Sequence, residues 1–323
     1  MTAAAVHDRV VLDGVADPVF ILAAPRSFSS VICAMLGQHP ELHGLPESHL
    51  FGDDTMDGWW QRADGESYQM AHGLVRAVAQ ICFGEQTERS VASAEAWLRR
   101  RRTETSGMVF EELARAVFPS TLVDKSPSTV YSIESMQRIL RFFPEARFIH
   151  LVRHPRSYCD SVVKYMHLLA TPAYRSRESL VEDNVAPQWI RDLAHWPLHE
   201  RDDSSVDPQG GWYVLNGNVV EFLQSVPPGR WSTVRGEDLL RNPEEALREL
   251  LAWLGKRTEP DAIEPMFHPE RSPYAHFGPR GARNGNDILF LERPTLRAPR
   301  ERQRTLEGLA PEVVELARRL GYE

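Results

Sequence analysis

The sequence predicts an α/β fold of three layers, with a mainly parallel central sheet and helical insertions. Three observations lead there. Short apolar, β-prone runs alternate with helical patterns along most of the chain, as a parallel sheet covered on both faces requires. The first such run, 19–24, passes through Pro25-Arg26-Ser27-Phe28-Ser29-Ser30 directly into a helical pattern carried by Val31, Ile32, Met35 and Leu36. Basic residues close three of the strands, Arg26, Lys125 and Arg153, and ligands of such sheets bind at the carboxyl ends of strands.

The elements follow in chain order. A strand over 19–24 leads to a helix over 29–38, and then to a loop rich in His, Pro and Gly as far as Asp54. A mostly helical insertion spans about 56–116. Thr121-Leu122-Val123-Asp124 reads as a short strand, 133–143 as a helix and 148–152 as a central strand. A helix starts at Pro155, a polar loop covers 202–211, and a further helix runs over 211–225. Strand 231–234 and helix 243–254, stopped by Gly255, follow. Trp212, Tyr213, Trp231 and Trp253 lie in helix or strand context and are expected in the core.

With 323 residues, 42% apolar and 25% charged, the chain is large enough for one sizeable α/β core. It has no repeat or long Gly/Ser linker, so 1–323 is expected to be a single domain with a C-terminal loop at about 272–290. The net charge of −8 argues against nucleic acid as a partner, but not against a small anion met by locally placed arginines. No apolar run is long enough to span a bilayer, and the start lacks a basic region followed by an apolar one. Cys33, Cys82 and Cys159 are widely spaced; they read as reduced thiols of a cytoplasmic protein rather than a disulfide or metal framework.

Strand, hydroxyl-rich turn and helix make a phosphate cradle, because the first backbone N–H groups of the helix point at an anion and the helix dipole favours it. The chain lacks Gly-x-x-x-x-Gly-Lys-Ser/Thr, so no lysine reaches for a γ-phosphate in the usual way. A nucleotide with a 5′ anionic group and no Mg-bound triphosphate suits this loop. In a second segment, Arg147-Phe148-Ile149-His150-Leu151-Val152-Arg153 reads as a buried strand, broken by His154-Pro155-Arg156 before a helix through Tyr158, Ser161, Val162 and Tyr165. Arg153 and Ser161 stand eight positions apart, about two helical turns, and together can clamp one further phosphate.

In this order the two segments resemble the 5′- and 3′-phosphate motifs of the sulfotransferases that use 3′-phosphoadenosine 5′-phosphosulfate (PAPS), over about residues 19–255. The resemblance implies a P-loop-like fold, PAPS as sulfuryl donor, the 3′,5′-bisphosphate PAP as product, and no metal. It implies that Arg26, Ser27, Phe28, Ser29 and Ser30 hold the 5′ end with the loop amides, and that Arg153 and Ser161 hold the 3′-phosphate. Two departures stand out. Phe28 occupies a position where most relatives have glycine, so either the turn needs no positive φ or a bulky ring shapes the acceptor side. In Val234-Arg235-Gly236-Glu237-Asp238-Leu239, Gly236 replaces the tyrosine of the family's Arg-Tyr-Glu-Asp-Leu segment.

Sulfuryl transfer needs a base for the acceptor proton and positive charge at the leaving phosphate. Glu47, in Gly44-Leu45-Pro46-Glu47-Ser48-His49, lies 21 positions after Arg26. That spacing resembles the catalytic glutamate of tyrosylprotein and several bacterial sulfotransferases; without the resemblance it reads as a surface loop carboxylate. Lys125, in Val123-Asp124-Lys125-Ser126-Pro127, sits at a strand end and suits a developing negative charge. The cytosolic small-molecule sulfotransferases carry a catalytic histidine two residues after that lysine, where this chain has Pro127; the departure favours Glu47 as base. Arg26 contacts the transferred group or pairs with Glu47 or a core carboxylate. His43, His49, His154, His268 and His276 show no metal-ligand spacing, and His49 or His276 is the one expected to touch the acceptor.

Gly278-Pro279-Arg280-Gly281-Ala282-Arg283-Asn284-Gly285-Asn286-Asp287 is rich in turn residues. It also falls where cytosolic sulfotransferases close a loop over the 3′-phosphate, which implies that role for Arg280 and Arg283. That loop, Ser272-Pro273-Tyr274 before it, and the stretches 72–80 and 83–87 resemble the sulfotransferase domains of curacin-type polyketide and olefin synthases. Those relatives sulfonate a β-hydroxyl on an acyl chain borne by acyl carrier protein, which implies the same acceptor here; a free small-molecule or carbohydrate hydroxyl is the alternative. Arg99-Arg100-Arg101-Arg102 is either a docking patch for an acidic carrier or a solvated helix end. The opening Met-Thr-Ala-Ala-Ala slightly favours a free-standing chain over an excised synthase domain. The rival readings are a P-loop kinase or nucleotide hydrolase, which the missing lysine disfavours, and a non-catalytic nucleotide- or carrier-binding module.

Overall fold

The computed structural model describes residues 16–66, 68–170, 208–296 and 305–323. Among them, five strands form one sheet in the order β2-β3-β1-β4-β5, with every pair parallel. The strands are β1 (Val19–Leu22), β2 (Leu42–Gly44), β3 (Thr121–Asp124), β4 (Arg147–Val152) and β5 (Trp231–Arg235). Side chains alternate between the faces along each strand, and the two faces feed separate cores. Val19, Ile21 and Ala23 pack with Ile149 and Leu151 on one face, while Phe20, Leu22 and Ala24 pack with Phe148 and Val152 on the other.

The first face is covered by α1 (Ser29–Leu36), α9 (Gly236–Arg241) and α10 (Pro243–Leu254), through Ile32, Met35, Leu36, Leu247 and Leu251. The second face carries the insertion helices α2 (Met56–Glu66), α3 (His72–Phe83), α4 (Glu88–Arg99) and α5 (Ser106–Val117). It also carries α6 (Ile133–Phe142), α7 (Pro155–Ala170), α8 (Pro208–Leu223) and α11 (Pro311–Arg319). At its centre Phe20 stacks on Phe110 at 5.3 Å and on Phe148 at 6.0 Å, with Phe51 edge-on at 5.3 Å. Three layers and a parallel sheet are what the alternation of elements predicts.

Some predicted boundaries change. The stretch read as a loop to Asp54 contains β2, an edge strand paired with β3 from Leu42↔Thr121 to Gly44↔Val123. It lies flat on α1 because two glycines meet there: a Cβ at Gly44 would stand 2.5 Å from the Cys33 carbonyl oxygen, and one at Gly37 2.8 Å from the Gly44 nitrogen. Helix α1 ends at Leu36 rather than at position 38. Of the polar loop expected over 202–211, positions 202–207 lie outside the described residues, and from Pro208 the chain is helical. Trp212 is buried as expected, but Trp231 is 37% exposed because β5 is an edge strand.

The arginine run stands at the solvent-facing end of α4, with Arg100 exposed, and three of its members are engaged with neighbouring side chains. Arg99 pairs with Glu95 and lies over Trp60 at 4.0 Å; Arg101 pairs with Glu112 and lies over Trp97 at 3.4 Å; Arg102 pairs with Asp57. These contacts tie α4 to α2 and α5. No helix among the described residues is long and apolar enough to cross a membrane.

Candidate active site

The strand order reverses around β1, whose neighbours are β3 on one side and β4 on the other. The loops leaving these three adjacent strands carry Arg26 to Ser30, Lys125 and Arg153, so topology alone gathers them at one end of the sheet.

Helix α1 starts at the cradle without a side-chain cap. Its first amides are therefore free of the usual internal partner and available to an anion. Ser27, Ser29 and Ser30 are all buried there. The turn into the helix holds Arg26 at φ 68 and Phe28 at φ 66; His49, across the site, stands at φ 52. These three are the described non-glycine residues with positive φ, and such backbone costs of order 1–3 kcal/mol each unless its surroundings impose it. The turn does need a positive φ at Phe28, which settles one half of the alternative posed for that residue.

Buried Lys125 donates to Ser30 Oγ at 2.8 Å and to Glu47 Oε1 at 2.5 Å. Glu47 Oε2 lies 3.7 Å from His49 Nε2, and His49 Nδ1 meets Ser128 Oγ at 2.8 Å. Burial works against the Glu47 charge, but the Lys125 ammonium and the nearby His49 ring outweigh it and hold the carboxyl down to about 2. Beneath them Asp124 accepts from Ser48 at 2.7 Å, and Ser126 Oγ accepts the His49 amide at 2.9 Å. Burial pushes the Asp124 carboxyl up to about 6 despite those hydroxyls. The His49 carbonyl accepts from Arg62 at 2.9 Å; with the Ser126 bond this fixes the strained backbone.

Arg26 forms an ion pair with Asp287 and lies over the Tyr165 ring at 4.8 Å. Of the two partners anticipated for it, the structure brings a carboxylate from the C-terminal loop. Its buried Nε has no hydrogen-bond partner among the described residues. Arg153 donates to the Arg26 carbonyl at 2.5 Å and to Ser157 Oγ at 3.0 Å, with its guanidinium over the Phe28 ring at 4.3 Å. Burial lowers the Arg153 guanidinium to about 10, so it stays charged at neutral pH. The serine that meets Arg153 is thus Ser157, one turn before Ser161.

The 272–290 loop reaches the site through residues other than the arginines expected. Gly285 accepts the Glu47 amide at 2.9 Å, and Asp287 pairs with Arg26. Arg280 and Arg283 lie on the exposed outer part of the loop, where Gly281 packs against Val91 and Arg283 lies over Phe277 at 5.1 Å. The His276 side chain is exposed, and its carbonyl accepts from Arg76 at 2.8 Å. Missed from sequence were Arg76, Asp287 and Ser157. Arg76 had a signal, a lone charge within the otherwise apolar run Leu74 to Ala79 of α3.

Gly73 and Gly285 let three backbones meet at Glu47. A Cβ on Gly73 would stand 1.9 Å from the Glu47 carbonyl oxygen, and one on Gly285 (φ 96) 2.5 Å from Gly73 Cα. Gly73→Ala is expected to cost about 1–3 kcal/mol or more, read as a lowered denaturant midpoint at unchanged slope. An unshifted midpoint would mean that the close approach is not enforced.

The fold and the site together define an α/β protein with an anion cradle, three cations and a carboxylate at neighbouring strand ends. Residues 18–260 match the sulfotransferase family. The chain belongs to that family and is a sulfotransferase. No curated protein sequence matches it significantly. Among solved structures it is similar to the sulfotransferase domain from the curacin biosynthetic pathway, at 23% identity, with 96% of this chain and 98% of that chain covered and a TM-score of 0.68. It is likewise similar to the sulfotransferase domain of the Synechococcus PCC 7002 olefin synthase, at 24% identity, 96% coverage of each chain and a TM-score of 0.70. At these identities the likeness speaks for the fold, which is the P-loop-like one expected.

Proposed function

We propose that this sulfotransferase takes its sulfuryl group from PAPS and passes it to a hydroxyl that Glu47 deprotonates. The observation that carries the reading is the linkage of Glu47 and Ser30 through Lys125, which bonds to both at the uncapped start of α1. The donor set fits such a nucleotide: free helix amides, buried serine hydroxyls, and the guanidinium of Arg26 with an unpartnered Nε. Ser27, Ser29, Ser30, Arg26 and the amides would hold its 5′ end, and Arg153 with Ser157 or Ser161 its 3′-phosphate. When bound, the nucleotide supplies an activated sulfuryl group on a phosphate leaving group.

The chain's own residues do the rest. Lys125 divides its ammonium between Glu47 and Ser30, and it is placed to neutralise negative charge that grows at the α1 start. A carboxylate paired with that ammonium is a weak base; drawing the ammonium toward growing negative charge raises its basicity. Proton removal and charge neutralisation are then coupled through one side chain.

For the acceptor we favour a β-hydroxyl on an acyl chain carried by acyl carrier protein over a free small-molecule or carbohydrate hydroxyl. Support comes from the stretches 72–87 and 272–287, which form one unit beside Glu47. The His72 ring accepts the Asn284 amide at 3.2 Å, and Gln86 donates to the Pro273 carbonyl at 2.7 Å. The unit leaves Phe277 37% exposed, and Leu289 just beyond it is 38% exposed. The two similar domains, from the curacin biosynthetic pathway and an olefin synthase, point the same way.

Calorimetric titration with PAP, in parallel with ATP and Mg²⁺, tests the donor. PAP is expected to bind without metal, and Arg153→Ala to weaken it roughly 100-fold, as loss of charged hydrogen bonds does. Absence of PAP binding, or a preference for ATP with Mg²⁺, would sink the reading. Turnover compared between a β-hydroxyacyl carrier protein and the same free hydroxy acid then decides the acceptor.

A further inference from the structure

Phe28 combines three features that ordinary packing does not account for together. A bulky side chain occupies left-handed backbone at φ 66, at the start of a helix it does not cap. Its ring lies 4.3 Å from the Arg153 guanidinium carbon. And the chain is clear of any side chain on the far side: a Cβ at Gly236 would stand 2.6 Å from Phe28 Cδ2 and 3.4 Å from Cε2. The strain at 28, the ring over the cation and the glycine at 236 make one arrangement, whose product is the orientation of Arg153.

That arginine is otherwise held only by hydrogen bonds in its own plane. Nη1 donates to the Arg26 carbonyl and Nε to Ser157 Oγ, and Trp212 fixes its backbone by donating to the Arg153 carbonyl at 2.8 Å. Nη2 has no hydrogen-bond partner among the described residues. Two in-plane hydrogen bonds leave the guanidinium plane free to tilt about the line joining their donors, and an aromatic face against that plane opposes the tilt.

We propose that Phe28 is a positioning residue for Arg153. Its ring, placed by the left-handed turn and given room by Gly236, holds the guanidinium plane so that Nη2 stays presented to an anionic group of the ligand. This rests on the reading of Arg153 as the ligand of the 3′-phosphate. Phe28 thereby sets discrimination between nucleotides with and without a 3′-phosphate, although its ring also packs against the core beneath α1. A glycine at 28 would adopt φ 66 without strain, so the backbone at this position is kept for binding at the expense of the fold.

The test compares wild type with Phe28→Gly, Phe28→Tyr and Gly236→Ala, by calorimetric titration with PAP and with adenosine 5′-monophosphate, which lacks the 3′-phosphate. Thermal unfolding is followed on the same samples. Wild type is expected to prefer PAP. Phe28→Gly should weaken PAP roughly tenfold more than it weakens the monophosphate, the worth of a partly desolvated cation–π contact. Phe28→Tyr should keep the preference. Gly236→Ala should mimic the loss by displacing the ring, and should add nothing in the Phe28→Gly background.

The outcomes separate cleanly. Wild type that prefers PAP, with the preference intact in Phe28→Gly, overturns the proposal alone. Equal loss of both nucleotides together with a lowered melting temperature makes Phe28 a merely structural residue and also overturns it. Wild type that binds the two nucleotides equally overturns the reading of Arg153, and the proposal with it.

Discussion

Glu47→Gln is expected to lower kcat by about 10²–10⁴-fold, the usual worth of a positioned base, while PAP affinity changes little. The same substitution strands the ammonium of Lys125, which is only 1% exposed. Breaking a buried pair by removing one partner costs about 3–5 kcal/mol, so the variant should also be less stable. Glu47→Gln with Lys125→Met removes both charges and should recover much of the stability but none of the turnover. Stability and turnover measured on all three proteins separate the chemical role from the structural one. Turnover above one tenth of wild type in Glu47→Gln would rule the base assignment out.

The pH dependence has a definite sign. Burial opposes ionisation of Glu47, yet Lys125 and His49 bring the carboxyl from its ordinary 4.5 down to about 2. The ion pair therefore contributes its full stability above about pH 4.5, and that contribution is lost as pH falls toward 2. An acid limb in kcat/KM at higher pH would have to come from another group, because Glu47 of the free protein is already ionised there.

Arg76→Ala is expected to be the most disruptive single change outside the cradle. Arg76 is 1% exposed, and its hydrogen bonds go to Gln86 Oε1 at 2.7 Å and to the carbonyls of Asn284 at 2.9 Å, His276 at 2.8 Å and Pro273 at 3.4 Å. Burial brings its guanidinium down to about 10, so it remains a cation at neutral pH, solvated by loop carbonyls. Removing it strips the part-buried carbonyls of Asn284 and His276 of this donor, at up to about 1–3 kcal/mol each. The loop that supplies Gly285 to Glu47 and Asp287 to Arg26 would come loose. Trypsin should then cut rapidly at the exposed Arg280 and Arg283, with activity falling in step. Arg76→Lys should not rescue, since one ammonium cannot span donors arranged as a fork. Unchanged cleavage in Arg76→Ala would show that the loop is held by other contacts.

How far the site was legible in the sequence follows from the range of the forces involved. The cradle, Lys125 and Arg153 could be read because hydrophobic periodicity marks strands, and parallel topology puts strand ends together. The edge strand β2 could not: three residues, two of them His and Gly, carry no period. Positive φ at Arg26, Phe28 and His49 was hidden because none is glycine, the residue that ordinarily announces it. The pairing of Arg26 with Asp287 joins residues far apart in the chain, and no local pattern encodes it. Ser161 followed from the family's 3′-phosphate motif, whereas Ser157, a turn earlier on the same helix, is seen only through its hydrogen bond with Arg153. Arg280 and Arg283 were proposed from the family's loop over the 3′-phosphate; the contacts this loop makes with Arg26 and Glu47 run through Asp287 and the Gly285 carbonyl.

The strand order also governs how the chain is made. β1 leaves the ribosome first among the strands, yet it ends up in the middle of the sheet, between β3 and β4. Its partners begin at Thr121 and Arg147, so at synthesis rates of about 5–20 residues per second it waits several seconds, apolar and unpaired. The insertion helices, whose contacts are local, can form during that wait and cover its Phe20 face. The cradle itself cannot close until Arg153 has emerged. Nascent chains stalled before that point should hold a helical subdomain and no nucleotide site, and they should be clients for chaperones that shield exposed β-strands.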